Sequence, residues 1–422
     1  MTHAIATQRQ ATTTACRPTA PRRPQPAPAA LLVAMALVAS ALTACMREPD
    51  LHLYSEATVV FDLPVIDLSL EVYWDYELTY GTAYDWRTEW YYGWDETDRE
   101  LFGEIGYTEP AVFNLRRYYT AREPLAPHTQ VLRDQVEGTH FRGHYDWGFW
   151  DILTWNDIHT LDGVQSLVFD ETTTLDSVTA YTNQSMHASR YHAPRYTRSF
   201  YEPEALFAAY TRGIEVNENL DGFTYDAERQ LYVRRLDMLL HPVTYIYLTQ
   251  IILHNNRGRI AAVDGSANLS GMARSTCVNS GRAGDDAITV YYNCRLKRDC
   301  PLLPYSATAT AAALAAVPRA DIVGGRLMTF GICGSEVGTI TRADELHDPS
   351  RHYMDVNMQF ATGMDSTFVF DVTEQVRRRY KGGVITVELD MDTVPTPARR
   401  GGSGFDAVVK DVEDGGTYEF DI

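Results

Sequence analysis

Short runs of alternating polar and apolar residues are the feature that most constrains the fold of this chain. The clearest run reads, in order, Asp67, Leu68, Ser69, Leu70, Glu71, Val72, Tyr73 and Trp74. A period of two places the apolar members on one face of a β-strand, so the run predicts a strand with one buried face. Similar strand-like runs recur at 58–61, 164–169, 177–181, 230–233, 244–254, 287–292, 326–332, 353–360, 367–370 and 384–389. Many short strands with few helices predict an all-β chain of the β-sandwich class.

The best candidate for a domain boundary is Pro242, which separates two strand-like runs. We therefore expect two tandem β-sandwich domains, at 56–238 and 239–422, each within the usual size range of a domain. The alanine-rich stretch 300–319 is predicted to be a long loop, and 406–420 is predicted to be a final strand.

Two short helices are predicted among the strands. In 202–213, Pro203 suits the first turn of a helix and Gly213 suits its C-terminal end. In 372–380, three consecutive arginines stand in the last turn, where the helix dipole favours positive charge.

The first 44 residues have the composition of an export signal. They contain four arginines and no acidic residue, followed by an apolar run at 29–42 that is shorter than the about 20 residues a membrane-spanning helix needs. The run ends in Leu-Thr-Ala before Cys45, which resembles the lipobox of bacterial lipoproteins. We expect 1–44 to be a signal peptide, Cys45 to carry lipid, and 45–55 to be a tether. The alternative is an ordinary signal peptide with a chance cysteine, and the proline-rich arm leaves the true start codon open.

The charge of the chain excludes some classes of partner. It has 56 acidic and 37 basic residues, and removal of the leader lowers the formal net charge from −19 to −23. Nucleic-acid binding needs a basic face, and so does electrostatic attachment to anionic lipid. We therefore expect no nucleic-acid partner, and we expect attachment to a membrane through the lipid on Cys45 alone.

Four cysteines follow Cys45 in the exported part of the chain, namely Cys277, Cys294, Cys300 and Cys333. Export makes disulfides chemically possible, and four cysteines allow three pairings that the sequence does not choose between. No CxxC spacing is present. The pattern favours one or two disulfides, or reduced core cysteines, over a zinc site.

The sequence also resembles a known family in several segments. ANLSGMA at 267–273, after a strand-like run, resembles the FimB-like fimbrial anchoring lipoproteins of Bacteroidetes. Five further segments are similar to a sister group of Bacteroidales lipoproteins, a domain family of unknown function: DYELTY at 75–80, YDWGFW at 145–150, IVGGRLMTF at 322–330, MDSTFVF at 364–370 and GGSGFDAVV at 401–409.

The resemblance implies a fold, a location and a mode of assembly. It implies two transthyretin-like or immunoglobulin-like sandwiches on a lipid anchor, held at the outer membrane and displayed on the cell surface. It also implies assembly with a fimbrial subunit or another surface protein by strand addition, in which an extended segment joins an open sheet edge. The candidate strand-exchange residues are Thr58, Val59, Val60 and Phe61 near the lipid and Phe405, Val408 and Val409 near the C-terminus. The alternative is that both segments complete their own sheets.

A cluster of aromatic residues offers a second kind of site. Trp86, Trp90 and Trp94 are four residues apart, so a short helix would align them, and a loop packed over a sheet would also suit them. Exposed rings beside polar groups can stack on a sugar, which makes these residues a candidate glycan platform. The alternative is that they fill a core, as buried aromatic side chains usually do.

No motif of a known enzyme class is present. The chain has no GxSxG, HExxH, P-loop or dinucleotide-binding pattern, and no cofactor or metal site is predicted. The sequence as a whole predicts a non-catalytic surface lipoprotein of the fimbrial anchor or accessory kind, acting in adhesion or fibre attachment. The alternative function is a glycan-binding lipoprotein of a polysaccharide-uptake system.

Overall fold

The computed structural model describes residues 64–72, 84–121, 124, 126–161, 164–171, 175–183, 185–186, 198–308, 310–333, 351–397, 405–410 and 417–421. In residues 160–161, 164, 185–186, 311–313, 405–410 and 417–421 it describes the backbone. Cys45 and the predicted strand 58–61 lie outside the described residues.

The described residues are dominated by β-strands. In chain order these are β1 (Val65–Val72), β2 (Val112–Thr120), β3 (Gln130–Glu137), β4 (His140–His144), β5 (Gly148–Asn156), β6 (Thr160–Leu161), β7 (Val164–Gln165), β8 (Leu167–Asp170), β9 (Thr179–Thr182), β10 (Ser185–Met186), β11 (Ser199–Tyr201), β12 (Phe207–Val216), β13 (Thr224–Asp226), β14 (Leu231–Pro242), β15 (Tyr245–His254), β16 (Ile260–Ala273), β17 (Ser275–Cys277), β18 (Ala287–Pro301), β19 (Arg319–Thr329), β20 (Tyr353–Phe360), β21 (Asp365–Asp371), β22 (Gly383–Asp390), β23 (Phe405–Lys410) and β24 (Thr417–Asp421).

Two large sheets contain most of these strands. The first sheet has eight strands in the order β3-β2-β5-β12-β14-β1-β4, with β13 also paired to β14. The second has eleven strands and follows the order β22-β15-β19-β18-β16-β20-β21-β23-β24, with β10 and β11 attached beside β18. The predicted all-β fold with two tandem β-sandwich domains is confirmed. The chain passes from the first sheet to the second between Pro242 and Tyr245.

The first sheet has the alternation that the sequence predicts. In β1, Leu68 and Leu70 are buried while Ser69 is half-buried and Glu71 is exposed. The buried side chains join a core that also includes Trp150 of β5 and Leu240 of β14.

The second sheet is buried on both faces along β15 and β19. Tyr247, Ile251 and Leu253 enter the main core of this sheet, whereas Ile246 and Leu248 enter a second cluster on the opposite face. This explains why β15 reads as a nearly continuous apolar run rather than an alternating one, as expected for a strand covered on both sides.

The helix predicted at 202–213 is wrong. The segment instead leads into β12, whose residues Ala208 to Thr211 pair with β5. Gly213 does have the positive φ that the sequence indicated, at 64°, but it forms a bulge between Thr211 and Ile214, and its N–H donates to the Asp151 carboxylate at 2.8 Å. Long-range pairing with β5 therefore outweighs the local signals for a helix.

The second predicted helix is present, and further short helices occur elsewhere. A short helix at Thr373–Arg378 confirms the one predicted at 372–380, and the Asp371 carboxylate accepts a hydrogen bond from the Thr373 N–H at 3.1 Å. The predicted loop 300–319 contains a short helix, Ala311–Ala316. Another short helix, Glu96–Phe102, follows a single 3-10 turn, Trp86–Thr88. Within the described part of the chain, every helix is too short to cross a bilayer.

The predicted final strand at 406–420 is instead an antiparallel pair. β23 lies parallel to β21, from Ser366 opposite Phe405 to Phe370 opposite Val409, and β24 folds back along it as the outermost strand.

Among the cysteines, Cys294 and Cys300 are buried as free thiols and Cys277 is a half-buried free thiol. For these three residues, the reduced alternative is the one observed.

Candidate functional site: a gap in the first sheet

The ladder between β12 and β14 is interrupted after two residue pairs. Phe207 pairs with Pro242 and Ala208 pairs with His241, although both strands continue far beyond this point. Neighbouring strands in a sheet normally share a ladder along most of their common length. The two strands therefore separate and leave a gap inside the first sheet.

The edge of β14 in this gap is seven residues long. On the opposite edge of β14, β1 pairs continuously from Val233 to Leu240. On the gap side, β13 pairs with β14 only as far as Val233, and β12 pairs with it only from His241 onwards. Residues 234–240 are thus bounded by a strand at each end, with no strand beside them in the described part of the chain.

Alternate residues of β14 direct their backbone groups into the gap. In an antiparallel ladder, the N–H and C=O of one residue point to the same side, and successive residues alternate. The Val243 N–H donates to the Leu206 carbonyl across the short ladder at 2.8 Å. By the same alternation, Asp237 and Leu239 present their N–H and C=O groups to the gap, while their neighbours serve the ladder with β1.

An arginine side chain crosses the gap at its far end. Counted from the last ladder pairs, Arg234 of β14 lies opposite Glu215 of β12. Instead of a backbone pair, the Arg234 guanidinium donates to the Glu215 carbonyl oxygen at 3.4 Å. A long side chain therefore occupies the place of a backbone donor, which indicates that the two strands stand more than one strand spacing, about 4.8 Å, apart.

The floor of the gap is apolar and its outer side is mixed. Ile214 and Val216 of β12 and Met238 and Leu240 of β14 are buried in the core of the first sheet. On the outer side, Tyr210 and Leu239 are 49% and 41% exposed, which is unusual for large apolar side chains of strands. A cavity of about 380 Å³ lies where the strands meet, lined by both of these side chains, by Asp237 and His241, and by Asn279 and Gly281.

The sequence-predicted strand-exchange residues lie elsewhere. Phe405, Val408 and Val409 belong to β23, near the outer edge of the second sheet, and the structure describes their backbone pairing with β21. Thr58, Val59, Val60 and Phe61 lie outside the described residues, as does Cys45.

The gap between β12 and β14 was not predicted from the sequence. The available signal was the charged residues Arg212, Arg234 and Arg235, which lie in the middle of β12 and β14, since charged side chains commonly protect unpaired edges.

The predicted glycan platform is buried. Trp86, Trp90 and Trp94 are 3%, 0% and 7% exposed, and their rings pack on Ile246 and Leu248 of β15 within the outer cluster of the second sheet. They lie in a loop over the sheet rather than along one helix. A stacked sugar needs an exposed ring face, so the geometry favours the packing alternative for these three side chains.

A polar anchor holds this aromatic segment in place. The fully buried carboxylate of Asp98 accepts a hydrogen bond from the Tyr92 hydroxyl at 2.8 Å and forms ion pairs with Arg295, at 2.8 Å, and Lys297. Burial, together with the negative charge of Asp98, raises the pKa of Tyr92 well above its usual range. The tyrosine therefore remains a neutral donor. The charges of Asp98, Arg295 and Lys297 are paired with one another, so this arrangement stabilises the fold and is not a ligand site.

Comparison with known proteins gives structural similarities alone. No family model and no curated protein matches the chain. A candidate adhesin from Bacteroides ovatus is 12% identical, with a TM-score of 0.42 over 79% of this chain and 95% of that one. The fimbrial anchor protein Mfa2 from Porphyromonas gingivalis is 11% identical, with a TM-score of 0.37 over 84% and 95% of the two chains. A candidate adhesin from Bacteroides thetaiotaomicron is 9% identical, with a TM-score of 0.40 over 79% and 94%. With TM-scores below 0.5, these similarities carry no argument about function.

Proposed function

We propose that this chain is a non-catalytic, lipid-anchored protein of the outer membrane that holds a fimbrial subunit or another surface protein on the cell by strand addition. Lipid on Cys45 anchors it, and the gap between β12 and β14 receives the partner. The observation that carries the proposal is the interrupted ladder, in which two neighbouring strands share two residue pairs and then diverge.

The unpaired edges give the gap an affinity for an extended peptide. An unpaired strand edge presents a row of N–H and C=O groups with which another strand can pair. A strand inserted between β12 and β14 would satisfy the groups of Asp237 and Leu239 on one side and of Tyr210 on the other. The main-chain bonds would supply affinity, and the side-chain pockets would supply selectivity.

The dimensions and side chains of the gap define the strand that fits. Seven open residues of β14 correspond to a length of about 23 Å, which is an ordinary strand. The strand should alternate, with apolar side chains directed at Ile214, Met238 and Leu240 and polar side chains directed outwards. Acidic residues are favoured near Arg234 and Arg235.

The C-terminal strands are the complementary element in this proposal. β23 and β24 occupy the outer end of the second sheet, joined to it by one ladder with β21. Phe405, Val408 and Val409, together with Thr58 to Phe61 near the lipid, remain candidates for strand exchange. Deletion of residues 404–422 should abolish association with the partner and leave the melting temperature of the remaining chain nearly unchanged. Loss of folding in that variant would argue that the segment belongs to its own sheet.

A proline in β14 tests the gap directly. Leu239→Pro removes one N–H that faces the gap, and it leaves the ladder with β1 intact because that ladder uses the alternate residues. The matched control is Leu239→Ala, which shortens the same side chain and keeps the N–H.

The readout is site-specific photo-crosslinking on whole cells, with a photoreactive amino acid in place of Tyr210. We expect one discrete protein adduct, kept in Leu239→Ala and reduced at least tenfold in Leu239→Pro. A reactive residue in place of Tyr305, which is 44% exposed in the second half of the chain, should give no such adduct. An equal yield of adduct in Leu239→Pro and in the unaltered protein would contradict the proposal.

A further inference from the structure

A second cavity is lined by residues of both sheets and shares no lining residue with the cavity at the gap. It has a volume of about 680 Å³, within the range of sites that bind small ligands. Its walls come from residues 102–112, the segment 156–159 after β5, residues 204–207 and β19. The apolar part of the lining is formed by Tyr107, Ile158, Phe207 and Met328.

A buried arginine lines this cavity without a carboxylate partner. Arg326 of β19 is 9% exposed, and its Nε donates to the Ile105 carbonyl oxygen at 3.1 Å. Within the described part of the chain it forms no salt bridge, and both of its terminal nitrogens lack a hydrogen-bond partner. Buried charges are nearly always paired, since removing an ion from water costs several kcal/mol. The two terminal nitrogens of the Arg326 guanidinium can therefore donate hydrogen bonds to an anion.

Glu202 is a second buried charged group that interacts with Arg326. The Glu202 carboxylate accepts a hydrogen bond from the Met328 N–H at 2.8 Å. Burial raises the pKa of Glu202 above its ordinary value, and the attraction of Arg326 offsets this effect only in part. Glu202 binds the Met328 N–H and forms no salt bridge with Arg326 within the described residues, so the terminal nitrogens of Arg326 are left for a ligand.

The mouth of the cavity carries the opposite charge. Glu104, Glu109 and Glu204 line it, and Asp157 lies among them. The Asp157 oxygens accept hydrogen bonds from Asn114 and Gln135, so this carboxylate is already engaged. Glu104 is paired with Arg99 at 3.8 Å and Glu204 with His159 at 3.3 Å. Four carboxylates still outnumber Arg326 and His159 in the lining, so the cavity is net acidic, which opposes entry of a dianion such as phosphate and favours a ligand with a positive end.

We propose that this cavity binds a short peptide by its free C-terminal carboxylate. Arg326 binds the carboxylate through two parallel hydrogen bonds, the geometry that suits its planar fork. The last side chain of the peptide packs against Tyr107, Phe207 and Met328. A basic residue or the N-terminal ammonium group lies among the glutamates at the mouth. The ligand is thus amphoteric, with its negative end inside and its positive end outside.

Calorimetry on the full chain with the tripeptide Lys-Ala-Leu tests the site. The free acid is expected to bind saturably, and the C-terminal amide at least tenfold more weakly, because a neutral amide cannot replace the charge-assisted pair. Acetylation of both amino groups of the peptide should weaken binding to a smaller extent. This arm uses the unaltered protein, so it does not depend on the folding of a variant.

Arg326→Gln should reproduce the effect of amidation, with at least a tenfold loss for the free acid and little change for the amide. The control is Arg298→Gln, at an arginine on β18 of the same sheet whose side chain is 50% exposed. Equal affinity for acid and amide, no binding of the free acid, or full binding by a folded Arg326→Gln variant would each overturn the proposal. The site is separate from the gap between β12 and β14, so neither result bears on the function proposed above.

Discussion

Two pairs of strands differ in how their backbone groups and side chains are covered. One pair is β15 with β19, and the other is β12 with β14. β15 and β19 share nine residue pairs and are covered on both faces, one face by the core and the other by the aromatic segment 86–94. β12 and β14 share two pairs, and their outer side exposes Tyr210 and Leu239. In the first case the chain itself supplies everything the strands need. In the second it leaves backbone groups and apolar surface for something else to cover.

The largest loss of stability is expected in the aromatic segment 86–94, which covers β15 and β19. Trp90→Ala should lower the free energy of unfolding by about 3–5 kcal/mol, because it empties a fully buried site against β15. Chemical denaturation measures this value. The control is Trp147→Ala, at a tryptophan that is 44% exposed in the first half of the chain and should cost much less. Equal losses in the two variants would remove the contrast between the covered and the open pair.

A buried glutamine joins that cover to the sheet. The Oε1 of Gln250 accepts hydrogen bonds from the N–H groups of Tyr91 and Tyr92, and its Nε2 donates to the Glu89 carbonyl and to Thr386. Gln250→Ala should cost about 2–4 kcal/mol, since two backbone donors lose their partner in a buried place. The exposed Gln359→Ala is the control for denaturation. A loss below 1 kcal/mol would mean that the aromatic segment is held by its rings alone.

An ion pair on the first sheet makes part of its stability sensitive to pH. Glu171 receives two hydrogen bonds of 2.7 Å from Arg116 and one of 3.1 Å from Arg133. These bonds, those from Arg116 above all, hold the pKa of Glu171 below its ordinary value of 4.5. A lowered folded-state pKa stabilises the fold above the unfolded-state value, and this contribution is lost as the pH falls through the folded-state value.

Glu171→Gln should therefore be less stable than the wild type at neutral pH, and the difference should shrink as the pH falls below about 4.5. Thermal melts at several pH values measure the trend. Glu228→Gln, at an exposed position, is the control and should show little difference at any pH. A Glu171→Gln deficit that stays constant down to pH 3 would contradict the assignment.

The smallest effect on stability is expected at the gap. Arg234→Ala should change the free energy of unfolding by less than about 0.5 kcal/mol, since its bond to the Glu215 carbonyl is long and exposed. It should nevertheless increase self-association, because it removes a charge that guards an open edge. Sedimentation measures this, with Arg99→Ala, at an arginine outside the gap whose side chain is 52% exposed, as the control. A large loss of stability in Arg234→Ala would show that the arginine holds the two strands together.

Local patterns predicted many strands of the second sheet, but they missed β2 to β5 and β12 of the first sheet and β16 of the second, and they did not predict how the strands are covered. The alternation in β1 and the boundaries of β20 are readable from the sequence because both depend on neighbours in the chain. The burial of β15 on both faces is not readable, because its cover is supplied by residues about 150 positions earlier in the chain. The helix predicted at 202–213 failed for the same reason, since the pairing of β12 with β5 is a long-range contact.

The candidate site was less predictable still. A gap in a sheet is defined by where two ladders stop, and no local pattern specifies that point. The resemblance to fimbrial anchors pointed to strand addition, but it directed attention to the two ends of the chain rather than to β12 and β14. Only the arginines in the middle of these strands gave a local hint.

The position of the gap between two strands has a mechanical consequence. A peptide added at the rim of a sheet is held along one side, and a pulling force can peel it away one hydrogen bond at a time. A peptide lodged between β12 and β14 would be held along both sides, and tension along its length would load all of these bonds together in shear. A tether built in this way would resist the drag of flowing liquid far better than its equilibrium affinity alone implies.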